Sequence, residues 1–315
     1  MIGGLIVDLY FAGTGSALGQ QEIKKLECNQ LLSYGINKRE VMAWVEYKRA
    51  HPEYKGKLFI DSGAHSISTG VITVDVDTYL DEYIDFINET GDVCSIYAEL
   101  DVVHDMEDGT EIEDSLEQSW NNYLYMLKKV KLEYRDKVIP VFHYNEDFDG
   151  LDRMLEYKHP DTGKQIPYIG LAPRFGNYAA RYSWLEECFK HIKRSSNPDV
   201  CTHIFGCTIL RLLEQFPITS ADSATWAIAS AYGNVRIGDK TVTISDRTAT
   251  KDTNIINKSL AMKRAVEEHV SQHGFTIEEL AQDPYKRQVM TIRELKQWQD
   301  NYQCNYSGMI RTDLW

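Results

Sequence analysis

The feature that most constrains this chain is a rhythm in which short apolar runs alternate with longer amphipathic stretches. Leu5–Ala12, Lys57–Ile60, Ser95–Val103, Val138–Phe142, Tyr168–Ala172, Thr202–Phe205 and Ile218–Ala221 read as strands. Glu22–Tyr34 (closed by Gly35), Lys38–Ala50, Asp77–Asn88, Ser115–Leu132, Phe148–Tyr157 and Tyr178–Arg194 carry helical periodicity between them. Strands joined by crossover helices pair in parallel, which makes the chain α/β. A closed barrel takes roughly 250 residues, so 315 residues fit one barrel with additions. No dinucleotide fingerprint is present, which favours a TIM-type (β/α)8 barrel over an open doubly wound sheet. Gly13-Thr14-Gly15 follows the first strand but lacks the third glycine and the lysine of a phosphate loop, so it reads as a tight turn.

The rhythm changes after Trp226. Val235–Ile237 and Thr241–Ile244 flank Gly238-Asp239 and read as a β-hairpin. Ile255–His273 reads as one long helix, and Glu278–Tyr302 as one or two more. The expected organisation is a barrel core over 1–232 and a hairpin with C-terminal helical additions over 233–315, within a single domain.

Composition narrows the function classes. No run approaches the ~20 apolar residues of a membrane span, and the N-terminus lacks a signal-peptide pattern, so a soluble cytoplasmic protein is expected. Six scattered cysteines (Cys28, Cys94, Cys188, Cys201, Cys207, Cys304) form no CxxC pair and read as reduced thiols. Cys201, His203 and Cys207 lie close in sequence, but no second ligand pair follows to complete a zinc site. A formal net charge of -13 argues against a general nucleic-acid coat, though it leaves room for a local basic patch.

Several polar residues fall at strand ends on one side of the expected barrel: Asp61, Asp101, His143, Gly170 and Asp222. That end is where barrel enzymes place their chemistry. Carboxylates gathered there suit attack on an anomeric carbon by one while a second moves the leaving group's proton. A third can accept N–H donors from a base edge, and His65 or Phe205 could stack on a planar ring. Each residue also has a structural reading. Asp222 can cap the helix expected from Ala224, and Thr208 a helix running to Phe216. Asp61 can cap the turn through Ser62-Gly63, Asp101 can pair with a buried Arg, and His143 and Phe205 can be core.

Five segments, FIDSGAHS, AELDVV, PVFHYN, YIGLAPR and HIFGCT…SADS, stand in the order found in the tRNA-guanine transglycosylase superfamily. The chain resembles that family from about Leu58 to Trp226, and within it most resembles the phage 7-deazaguanine DNA transglycosylases. The resemblance implies that Asp222 is the nucleophile at C1′ and Asp61 the general acid/base. It implies that Asp101 reads the guanine N1–H and 2-amino edge, that the Gly170 and Leu171 backbone lines the pocket, and that His65 and Phe205 sandwich the ring. His143 stands where the family commonly has a glutamine that reads the base.

The reaction implied is exchange of guanine in DNA for a free 7-deazaguanine base, such as 7-cyano-7-deazaguanine, in the host cytoplasm of a phage-encoded enzyme. Partner proteins would supply the modified base, and no cofactor is implied. The family's CxCxxC-and-His zinc set is absent, Ala224-Thr225-Trp226 replaces its Pro-Thr-Arg, and Pro173-Arg174 stands where its pocket motif leads to a glutamate. The alternatives are a tRNA-guanine transglycosylase with a reduced C-terminus, and a metal-dependent barrel hydrolase using Asp61, Asp101 and His143. The flipped base of such an enzyme needs phosphate contacts nearby, and Arg236, Lys240, Arg247, Lys251 and Lys258 are the cations considered for that task.

Overall fold

A strand with apolar residues on both faces must be covered on both, and a closed barrel wrapped by helices does this. The computed structural model describes residues 7–102, 115–144, 146–173 and 177–302. The acidic stretch Asp105–Asp114, together with Leu5, Val103, Asn145, Arg174 and Cys304, lies outside these residues.

In chain order the first half comprises β1 (Asp8–Ala12), α1 (Ala17–Lys25), β2 (Asn29–Ser33), α2 (Tyr34–Ala50), β3 (Leu58–Asp61), α3 (Ala64–Ser68), α4 (Val76–Thr90), β4 (Ile96–Ala98) and α5 (Ser115–Lys129). The second half of the barrel comprises β5 (Val138–Ile139), β6 (Val141–His143), α6 (Phe148–Glu156), β7 (Tyr168–Ala172), α7 (Tyr178–Arg194), β8 (Cys201–Ile204), α8 (Leu210–Leu213), β9 (Ser220–Ser223) and α9 (Thr225–Ala231). The sheet order is β5-β4-β3-β2-β1-β9-β8-β7-β6, and its pairs are parallel.

The two ends of this order, β5 and β6, flank a single residue, Pro140, which has no N–H to give a ladder. Ile139 accepts from the Glu99 N–H on the β4 side (3.0 Å), and Pro140 accepts from the Gly170 N–H on the β7 side (2.8 Å). One run interrupted by proline thus joins both neighbours, and the sheet closes as an eight-membered TIM-type barrel. Tyr10, Ala12, Leu31, Phe59, Ile96, Ala98, Ile139 and Val141 pack together in its interior, with Tyr168, Ala172 and Phe205 against them. The alternate residues Leu9, Phe11, Leu32, Leu58, Ile60, Tyr97, Phe142, Ile169, Leu171 and Ile204 join the helices in the larger outer core. This is the two-residue period of a strand buried on both faces.

Three sequence expectations change. The span Glu22–Tyr34, expected as a helix, contains β2. Its Gln30 is fully buried and its amide donates to the Gly13 carbonyl (2.6 Å), so a polar side chain serves the sheet from within it. Thr208 does not cap a helix running to Phe216: its hydroxyl meets that of Thr225 (3.3 Å), and only Leu210–Leu213 is helical. The helix expected over Ile255–His273 is a 3-10 turn, Ile255–Asn257, followed by α10 (Leu260–Gln272), whose start is capped by Ser259.

The hairpin β10 (Asn234–Ile237) and β11 (Lys240–Thr243), α10, and α11 (Ile277–Gln282) gather round a third core of Val235, Ile244, Ile255, Val266, Val270, Leu280 and Met290. The last helix, α12 (Pro284–Asp300), returns to the barrel. Arg293 Nε donates to Glu22 Oε1 of α1 (2.6 Å), and Gln288 Oε1 accepts from the Ser16 N–H (3.0 Å).

The Gly-x-Gly turn has the structural role read from sequence. Gly15 sits at φ +56°, and an added Cβ would stand 2.2 Å from Cη2 of the buried Trp226. The Trp226 indole N–H in turn donates to the Ala12 carbonyl (2.9 Å). Gly15→Ala combines a left-handed backbone with a clash against a fully packed ring, so its expected cost is about 2–4 kcal/mol. Urea unfolding of the variant measures it, and an unchanged midpoint would contradict this packing.

Candidate functional site

The ends of β3, β4, β6 and β9 bring the predicted polar residues to one mouth of the barrel. Asp222 is buried, with 6 % of its surface exposed. Its Oδ1 accepts from the Gly206 N–H (3.0 Å) and lies 3.1 Å from His203 Nε2. It does not cap α9: Ser223 Oγ accepts from the Thr225 N–H (3.0 Å), and Asp222 is left facing the interior group. Two hydrogen bonds on one oxygen fix the carboxylate's orientation.

Behind Asp222 runs a buried polar chain that local sequence reading missed. His203 is fully buried, its Nδ1 lies 2.5 Å from Ser220 Oγ, and Ser220 Oγ lies 2.5 Å from the Tyr168 hydroxyl. A carboxylate only accepts, so His203 Nε2–H donates to Asp222. From His203 Nδ1 the chain continues through the Ser220 hydroxyl to the Tyr168 hydroxyl. The register His203↔Ser220 sets this up, since inward-facing residues at the same and the next inward position of β8 and β9 become neighbours. The signal was present as the alternation His203-x-Phe205 beside Ser220-x-Asp222.

Asp61 ends β3, and its Oδ2 accepts from the Gly63 N–H (3.1 Å). Burial pushes its carboxyl up to about 7, and the charges of Asp101 and Asp222 push in the same direction. The three carboxylates are therefore near enough to repel one another, as carboxyl groups sharing an active site do. Asp101 lies against His143, with Oδ2 2.6 Å from Nε2. Burial alone would lower the His143 pKa; contact with the Asp101 carboxylate, and the charge of Glu146 beyond it, reverse the sign and raise it. Asp101 thus has a histidine partner in place of the buried arginine considered from sequence.

Glu99, one residue past β4, was also missed. It is fully buried, and its Oε1 accepts from the Val141 N–H (2.7 Å), where Pro140 interrupts the ladder. Burial drives its carboxyl well above the usual range, opposed by the Val141 hydrogen bond and assisted by Asp101 and Glu146.

Aromatic rings form the floor. His203 packs edge-on against Phe59 (4.6 Å between centroids) and Phe205 (4.5 Å), with Tyr10 behind Phe59 (5.6 Å). Gly170 makes room for this: a Cβ there would stand 2.6 Å from Phe205 Cε2. Leu171 turns its side chain into the outer core, and only its backbone faces the sheet, where its carbonyl accepts from the Phe205 N–H (2.9 Å). His65 is exposed on α3.

The basic residues considered for phosphate contact are dispersed in state. Lys240, Arg247 and Lys251 are exposed, and Lys258 is half-buried. Arg236 is engaged within its own hairpin, donating to the Gly238 carbonyl (3.0 Å) and to Asp239 Oδ1 (3.4 Å). Cys28, Cys94, Cys188 and Cys207 are buried free thiols, and Cys201 is a half-buried one. Among the described residues, no helix is long and apolar enough to cross a membrane. No protein-family model matches the chain, and no curated protein matches it.

Proposed function

We propose that the chain is a base-exchange transglycosylase that replaces guanine in DNA with a 7-deazaguanine base through a covalent aspartyl–deoxyribose intermediate. The observation that carries this reading is the pairing at the barrel mouth of a fixed carboxylate, Asp222, with a second carboxyl, Asp61, held near 7. A fixed carboxylate to attack and a second carboxyl that can carry a proton near neutral pH are what retaining cleavage of a glycosidic bond requires.

In the forward half, an Asp222 oxygen bonds to C1′ as the C1′–N9 bond breaks, and its electron pair leaves on N9 of guanine. Protonated Asp61 supplies the proton that neutralises the departing base. In the return half, Asp61 takes the proton from the incoming 7-deazaguanine, whose nitrogen attacks C1′ and releases Asp222. His203, fixed by Ser220 and Tyr168, holds Asp222 on the attacking line. Asp101, steadied by His143, accepts from the N1–H and 2-amino groups of the base. The guanine must leave the helical stack to enter the barrel, so single-stranded or flipped DNA is the substrate form.

Trapping tests the intermediate: wild-type protein incubated with a guanine-containing oligonucleotide should give a covalent protein–DNA band on a denaturing gel. The band should be missing for Asp222→Ala; a band of equal intensity in that variant would remove Asp222 from the chemistry. Asp101→Asn keeps the shape but replaces a two-acceptor carboxylate, and should lower kcat/KM for free guanine by about 10–100-fold, mostly through KM. Steady-state exchange with varied guanine reads this, and an unchanged KM would assign base recognition elsewhere.

A further inference from the structure

The accessory region carries a second cluster that the barrel chemistry does not use. His269 of α10, His273 just past its last turn and Glu294 of α12 converge, with one ligand atom from each lying within 4.8 Å of the others. Both imidazoles bring Nε2 close to the same oxygen, Glu294 Oε2, at 2.8 Å from His269 and 2.9 Å from His273. The His269 contact is a hydrogen bond. The His273 contact is not: its side chain is 7 % exposed, and its Nε2 finds no hydrogen-bond partner of acceptable geometry.

A hydrogen-bonded triad would need both rings protonated at Nε2 and both aligned on one acceptor. A buried ring nitrogen without an aligned partner fits a lone pair directed at an ion better. The carboxylate is itself oriented from behind, because Glu294 Oε1 accepts from the Gly238 N–H at the hairpin turn (2.7 Å). Outer contacts of that kind are what fix metal-binding carboxylates.

We infer that His269, His273 and Glu294 form a site for a first-row divalent cation, of which zinc fits best. Two imidazoles at i and i+4 with one carboxylate are a borderline N2O donor set, which suits zinc rather than calcium or magnesium. Zinc–nitrogen and zinc–oxygen bonds are about 2.0–2.2 Å, so ligand atoms around a tetrahedral ion stand about 3.3–3.5 Å apart. The two nitrogen–carboxylate contacts, at 2.8 and 2.9 Å, need to open by only about half an ångström to admit it. The His269 side chain is 31 % exposed, which leaves solvent access for a water as fourth ligand. The ion would join α10, α12 and the β10–β11 turn, pinning the accessory core to the helix that closes on the barrel.

The test uses the full-length protein stripped with chelator, dialysed against a low-micromolar zinc buffer and assayed for bound metal by mass spectrometry. The wild type should retain about one zinc per chain and melt at a higher temperature with zinc than without, since an ion that binds only the folded state stabilises it. His269→Ala removes a half-exposed ligand. His269→Gln can still donate to Glu294 and so preserves a hydrogen-bonded cluster. Both should remain folded by circular dichroism and lose most of the bound zinc. Cobalt substitution should give visible bands of a four-coordinate site in the wild type only. Zinc retained at wild-type stoichiometry by both variants would put the ion on other groups and overturn the assignment. A wild type that holds no zinc would overturn it too.

Discussion

Asp222→Ala is expected to reduce base exchange by at least ~10⁴-fold, because a covalent route loses its only attacking atom when the nucleophile is removed. The loss should fall on kcat, with binding of DNA little changed. Asp222 is largely buried, so its removal also leaves His203 Nε2 and the Gly206 N–H facing a small void. Asp222→Asn separates the two effects, since the amide fills the space and keeps a hydrogen-bonding oxygen. Both variants should be equally inactive, and the asparagine variant should be the more stable in urea. Activity within tenfold of wild type in either variant would exclude covalent catalysis by Asp222.

The second large effect belongs to Asp61. Its carboxyl is held at about 7 by burial first and by Asp101 and Asp222 next. As general acid it must carry a proton when the base departs, so guanine release should fall as pH rises through about 7. Asp61→Asn cannot donate and should lose on the order of 10²–10⁴-fold in rate, with that pH dependence gone. The same shift also predicts an effect on stability. The folded state keeps the Asp61 proton from the ordinary value of 3.8 up to about 7, whereas the unfolded chain releases it near 3.8. Stability from this group therefore declines as pH rises across that window. The melting temperature of Asp61→Asn should match wild type near pH 4, exceed it increasingly toward pH 7 and keep a constant lead above that. A lead independent of pH would mean that the carboxyl ionises normally.

The barrel was legible in the sequence because most of its strands are apolar on both faces and are cut off by glycine, proline or a polar residue. β3 (Leu-Phe-Ile-Asp) and β7 (Tyr-Ile-Gly-Leu-Ala) show this pattern. β2 broke it. Its Asn29 and Gln30 are buried polar residues bonded to the backbone of β1, and Asn-Gln-Leu-Leu continues the helical pattern of the residues before it. Closure through Pro140 was illegible for a similar reason, since a proline in a strand usually marks an edge. Here Glu99 supplies an acceptor to the next N–H, and the run serves two neighbours.

Within the site, Asp61, Asp101, His143 and Asp222 could be placed from strand ends alone. His203, Ser220 and Tyr168 could not. Their partnership depends on which residues of β7, β8 and β9 lie side by side, and register is a property of the closed sheet rather than of any one segment. The histidine–glutamate cluster of the accessory region was hidden for the same reason: Glu294 is remote in sequence from His269 and meets it only because α12 folds back.

The central claim is the exchange of a base in DNA, and the direct measurement offers purified protein radiolabelled guanine with DNA and tRNA in parallel reactions. Label is expected in DNA, none in tRNA, and none in DNA when Asp222 is replaced by alanine. Label in tRNA alone would contradict it. So would label in neither nucleic acid when 7-cyano-7-deazaguanine is offered in place of guanine.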